Sequence, residues 1–126
     1  MICLSIEIVS NNSLVKEKYE NVIFVEGDYI DVLVSCRDLI HKGYSLISHP
    51  LPASIRMVFS SIRSIVLEKN SSFDEESALI IEDSIEKYRL TMKNRKVDYR
   101  NVKDYEFVDL MLVESAIEEH RVLTSF

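Results

Sequence analysis

The chain has only two glycines, Gly27 and Gly43, in 126 residues. A P-loop or a GxGxxG turn needs several glycines to bring backbone amides up against phosphate, so the ordinary nucleotide cradles are excluded. Proline is equally scarce, at Pro50 and Pro52, which leaves little room for long irregular segments. Cys3 and Cys36 are too few and too far apart for a disulfide framework or a CxxC pair. Both are expected to be reduced, small buried hydrophobes in a cytoplasmic setting. No His/Cys cluster has zinc spacing, no helix carries HExxH and no Gly-x-Ser-x-Gly elbow exists, so no metal or cofactor is expected. No apolar run reaches the ~20 residues that a span requires. The start, Met1 to Val9, lacks a basic leader and carries Glu7, so a signal peptide and a membrane partner are not expected. Positive charge is in deficit: 15 Lys and Arg against 21 Asp and Glu give a net charge of −6. Phosphate backbones draw on the opposite balance, so nucleic acid is not expected as a main partner.

What is present is apolar periodicity. With 47% hydrophobic residues in one domain-sized chain, a core can form without staples, since a domain near this size hides roughly two thirds of its unfolded surface. Ile2, Leu4, Ile6 and Ile8 alternate with polar residues as a strand does. The strand ends in Ser10-Asn11-Asn12-Ser13, where Asn12 or Ser13 can cap a short helix over 14–19. A second strand, Val22 to Val25, stops at Glu26-Gly27-Asp28, and Asp28 is placed to cap the next helix. That helix presents Tyr29, Val32, Leu33, Cys36, Leu39 and Ile40 on one face and stops at Gly43. A third strand, Tyr44 to Ser48, empties into His49-Pro50, where a ladder must end because proline has no donor.

Residues 50–61 fit either a helical turn or an extended excursion. Ile62 to Glu68 reads as a fourth strand, reached by a connection that suits a parallel crossover or an antiparallel return. Ser72 and Glu75 have capping-box spacing, and a helix with the stripe Ala78, Ile81, Ile85, Tyr88 and Met92 follows to about Lys93. Lys87, Arg89, Lys93, Arg95, Lys96, Arg100 and Lys103 form the one basic run, opposed by Asp98. It reads as a solvated helix end, with phosphate or RNA binding as the alternative. The last helix, about Lys103 to His120, carries more apolar residues than one stripe needs, so it is sandwiched between layers or meets another subunit. His41 and His120, each at a helix end, read as solvated cations.

The expected fold class is therefore α/β: a single domain over 1–126 with a small, mostly parallel or mixed sheet of about four strands, helices on both faces and two long C-terminal helices. If the first three strands run parallel, their carboxyl ends gather Asn11, Asn12, Glu26, Asp28 and His49 on one edge, with Ser54 and Arg56 close by. These seven are the candidate residues for a small polar or anionic ligand. Their alternative duty is capping helices and turning loops. No catalytic residue can be named.

Ser10-Asn11-Asn12-Ser13-Leu14-Val15, Glu26-Gly27-Asp28-Tyr29-Ile30-Asp31-Val32-Leu33 and Arg37-Asp38-Leu39-Ile40-His41-Lys42-Gly43, leading into Ser48-His49-Pro50-Leu51, resemble the GrdX family. The likeness spans roughly Ile6 to Ser54, with a weaker echo at Phe107-Val108-Asp109 and Ser115-Ala116-Ile117. Ser54 and Arg56 fit the hydroxyl-rich loop and basic residue that follow in the family, while Met57-Val58-Phe59 departs from it. Members are small proteins encoded beside the glycine, sarcosine and betaine reductase genes of amino-acid-fermenting anaerobes. The resemblance thus implies a non-enzymatic accessory or regulatory role with reductase components as possible partners. The wide apolar last helix adds a homo-oligomer to that expectation, and a ligand-binding protein or enzyme built around His49 stands as the alternative.

Overall fold

The structure, a computed structural model, describes residues 6–124. The elements follow the chain as β1 (Ile6–Ser10), α1 (Ser13–Lys18), β2 (Val22–Phe24), α2 (Tyr29–His41), β3 (Tyr44–Leu46), α3 (Ile55–Val58), β4 (Ser64–Lys69), α4 (Glu75–Thr91) and α5 (Val102–Thr124). Residues 2–5 of the expected first strand, with Cys3, lie outside the described residues.

Four strands form one mixed sheet in the order β2-β1-β4-β3. β2 is parallel to β1, whereas β4 is antiparallel to both β1 and β3. β1, β2 and β3 therefore run the same way, and the amino end of β4 joins their carboxyl ends at one edge. Of the two routes left open to the fourth strand, the chain takes the antiparallel return. Residues 50–61 contribute a single helical turn, α3, and a bridge pairing Ser60 with Asp98.

The period of two sorts the sheet into two cores. On one face Val9, Ile65 and Leu67 pack with Tyr29, Val32, Leu33, Cys36 and Ile40 of α2, and with Ile81, Ile85 and Tyr88 of α4. On the other, Ile8 and Val66 meet Val15 of α1 and Val113 of α5. Helices thus cover both faces, and the hydrophobic transfer of these side chains is the main drive for folding. Burial pushes the Cys36 thiol above its ordinary range, so it is a packing group and not a nucleophile.

The ends of the helices show why the chain turns where it does. Gly43 adopts φ +108° just past α2, a left-handed value that favours glycine. Gly27 serves differently: a Cβ there would run into the Asp31 carboxylate, which accepts the Asp28 N–H at 2.8 Å as half of a capping box. The cap of α4 is Asp74, not the expected Ser72. Its carboxylate accepts from the Glu76 and Ser77 N–H groups and, at 2.8 Å, from the Ser77 hydroxyl, a geometry within reach of a residue adjoining the first turn. His120 is also more than a solvated helix end, because its Nε2 lies 2.9 Å from Glu68 of β4.

Along α5 only Tyr105, Asp109 and Val113 are buried, at spacings of four. Phe107, Val108, Met111 and Leu112 remain exposed on its outer side. The sandwich reading of this helix therefore fails within the described chain: the sheet covers one stripe and nothing covers the next.

Candidate functional site

At the common strand edge the sequence places hydroxyls and amides where apolar residues stop. Ser10 and Ser64 face each other in register across β1 and β4, with their hydroxyls 2.7 Å apart. Asp109 comes down on them from α5 and is fully buried. One of its oxygens accepts the Ser64 N–H at 2.9 Å, and the other accepts the Ser64 hydroxyl at 2.6 Å and the Asn12 amide at 2.9 Å. Arg63, also buried, has one guanidinium nitrogen 4.0 Å from Asp109. The same guanidinium donates to the carbonyl of Pro50 at 3.0 Å and to that of His49. Four segments distant in sequence are thereby fastened to one buried carboxylate and one buried cation.

The candidate residues take their places around this network. Asn11 is saturated: its amide nitrogen donates to the Gly27 and Ser61 carbonyls and its oxygen accepts the Arg63 N–H. Asn12 accepts the Leu14 N–H as the cap of α1 and donates to Glu106 and Asp109. Asp28 caps α2 and accepts the Tyr99 hydroxyl. Glu26 is exposed. His49 is exposed, and its Nδ1 accepts the Leu51 N–H at 3.0 Å, so the ring shapes its own turn. Ser54 and Arg56 are exposed at the start of α3. Of these seven, Arg56 alone borders the concavity between α3 and the start of α5. Asn11, Asn12 and Asp28 belong to the scaffold of the edge, and Arg56 belongs to a concavity beside it.

That concavity has a volume of about 600 Å³ and lies between Arg56 and Phe59 on one side and the connection 95–100 with Tyr105 on the other. Its wall is held by the backbone: the Asp98 N–H donates to the Phe59 carbonyl at 2.9 Å. Asp98 in turn organises the start of α5, accepting the Arg100 N–H at 2.9 Å, the Asn101 amide at 3.0 Å and the Tyr105 hydroxyl at 2.8 Å. These donors, the Arg100 N–H first, hold its carboxyl at about 2. A carboxyl depressed in the fold contributes stability above its unfolded value and loses it as pH falls through the folded one. The turn is therefore expected to stay closed through mild acid. A carboxyl-carbon NMR titration should place the Asp98 midpoint near 2; a midpoint at the ordinary value of ~3.9 would show those bonds absent in solution.

Sequence reasoning did not place Arg63, Ser64 or Asp109 among the candidate residues, and met Asp109 only in the family echo at Phe107-Val108-Asp109. A signal was there: Asp109 occupies the buried phase of α5 between Tyr105 and Val113, and Arg63 falls inside the fourth strand expected over Ile62 to Glu68. Among the described residues, no group of three or more His, Cys, Asp or Glu side chains is placed to hold a metal ion. No helix among them is long and apolar enough to cross a membrane.

Compared with known proteins, residues 7–118 match the family model described as GrdX-like protein. None of the curated proteins and none of the solved structures matches the chain. A match over that much of the chain leaves one conclusion, that this protein belongs to the GrdX-like protein family.

Proposed function

We propose that this protein is a cytoplasmic accessory or regulatory component of the glycine, sarcosine and betaine reductase system of amino-acid-fermenting anaerobes. It acts by association and not by turning over a substrate of its own. Family membership over residues 7–118 is the observation that carries this reading. The structure adds a surface suited to it. Phe107, Val108, Met111 and Leu112 are contiguous on α5 and exposed, and burying such a patch is worth about 25 cal/mol per Å² of apolar area removed from water. We assign this face first to a second copy of the chain, giving a homo-oligomer, with reductase components as the heterologous partners.

The test is affinity purification of the tagged chain from cells that express the reductase, alongside sedimentation of the pure protein. Wild type should bring down identified reductase components and sediment above the monomer mass at micromolar concentration. A Met111→Asp variant, altered at an exposed site and so still folded, should do neither. Recovery of no reductase component with wild type would overturn the reductase assignment, and a monomer in both proteins would overturn the oligomer.

A second reading, a small-ligand binder at the strand edge, draws on the concavity at Arg56 and not on His49, whose ring nitrogen is engaged by Leu51.

A further inference from the structure

We propose that the concavity between α3 and the start of α5 binds the phosphoryl group of a small molecule. The inference rests on the ligand-binding reading just given and names its chemistry. Arg56, Arg95, Lys96 and Arg100 all border the space. Arg100 shares Asp98 at 3.7 Å, whereas no carboxylate among the described residues lies within ion-pair distance of Arg56, Arg95 or Lys96. In a chain of net charge −6, cations would ordinarily find acidic partners; here three without them converge on one hollow. Low-dielectric walls around an excess of one sign of charge, here four cations to the single Asp98 carboxylate, focus the field and concentrate a counter-ion.

The arginines are also partly positioned in advance. The Arg95 guanidinium lies over the Phe59 ring, 3.9 Å from its centroid, which holds its plane and leaves its N–H edge free to fork onto an anion. Arg56 stands against the Tyr105 hydroxyl, which itself donates to Asp98 at 2.8 Å. The Asp98 carboxylate is occupied by its own turn and by Arg100, so one anion stands against four cations around the hollow.

The balance of charge decides the ligand class. One carboxylate would meet one or two of these cations, while a phosphoryl group carries about two negative charges and three acceptor oxygens that several donors can share. A hollow of about 600 Å³ suits a molecule of small-metabolite size. A long nucleic acid would instead extend beyond the hollow over a protein of net charge −6, where Lys87 of the basic run is already paired with Asp83.

Titration calorimetry of the full chain with acetate, inorganic phosphate, pyrophosphate, adenosine monophosphate and a ten-nucleotide RNA tests this. At least one of the three small phosphate probes should bind ten-fold or more tightly than acetate. An Arg56→Gln/Arg95→Gln variant should weaken that binding at least ten-fold with an unchanged melting temperature, since both side chains are exposed. Lys87→Gln, which removes a charge elsewhere on α4, should leave it unchanged. Adenosine monophosphate ahead of inorganic phosphate supports an organic ligand; equal binding supports recognition of the phosphoryl group alone. Failure of all three small phosphates, or equal weakening by Lys87→Gln, would overturn the proposal. So would binding by acetate as tight as by phosphate, which would leave a general anion-binding reading standing. Tight RNA binding without small-probe binding would overturn both.

Discussion

Replacing Asp109 by alanine should destabilise the protein by about 3–5 kcal/mol, the usual cost of removing one member of a buried charged network. The carboxylate is fully buried and receives three hydrogen bonds, from the Ser64 N–H, the Ser64 hydroxyl and the Asn12 amide. Alanine leaves the buried Ser64 N–H and one Asn12 amide N–H without this acceptor, each such loss costing about 1–3 kcal/mol, while the Ser64 hydroxyl can still turn to Ser10, 2.7 Å away. It also takes from Arg63 its nearest carboxylate. Asparagine keeps the shape but turns one acceptor into a donor facing other donors, so Asp109→Asn should cost less, about 2 kcal/mol. Denaturant unfolding with an unchanged slope would report both values. A loss for Asp109→Ala within about 1 kcal/mol of zero, which is what exposed substitutions give, would mean that the network does not carry the docking of α5.

The second large effect is expected at Tyr29. This side chain is fully buried, stacks on Tyr88 with ring centroids 4.8 Å apart, and donates its hydroxyl to the Pro50 carbonyl at 3.0 Å. Burial pushes the phenol well above its usual range, so the donor proton stays in place at any working pH. Tyr29→Ala should cost about 3–5 kcal/mol, as aromatic truncations in cores do. Against a total stability of about 5–15 kcal/mol, that leaves a thin margin. Tyr29→Phe separates the two contributions: it keeps the stack and removes one buried hydrogen bond, for about 1 kcal/mol. Because Arg63 still donates to Pro50 at 3.0 Å, the turn at 49–51 should loosen without being released. Faster amide exchange at Leu51 in Tyr29→Phe, with the sheet amides unchanged, is the expected signature. Uniform exchange across the whole protein would instead place the hydroxyl's contribution in global stability.

The chemistry of the edge and the order of the elements stood in unequal relation to the sequence. Alternation at Ile6 and Ile8, the face Tyr29-Val32-Leu33-Cys36-Ile40 and the stop at Gly43 are local properties of backbone and side-chain period. A linear reading therefore determined the α/β class, the helices on both faces and the cap at Asp28. The apolar surplus of α5 was visible for the same reason, because a period of 3.6 counts faces without needing neighbours. Direction in the sheet was not visible. The 17 residues between β3 and β4 (47–63) reach either way, and only the pairing of Ile8 with Val66 and of Leu46 with Leu67 settles an antiparallel return.

That return decided the edge. By running opposite to β1 and β3, β4 brings Arg63 and Ser64 from its amino end to the carboxyl ends of the others. There Asp109, 45 residues away from Ser64, closes the network. Asn11 and Asn12 carried a polar signal in the sequence, but whether an amide meets solvent or a buried carbonyl depends on which distant backbone lies against it. The basic run is the converse case. Arg95, Lys96 and Arg100 were legible as charge, yet a hollow has no sequence pattern: it exists because the Asp98 N–H finds the Phe59 carbonyl and sets Arg56 opposite them. Periodicity is written in neighbours along the chain, whereas enclosure is written in residues that meet only after folding.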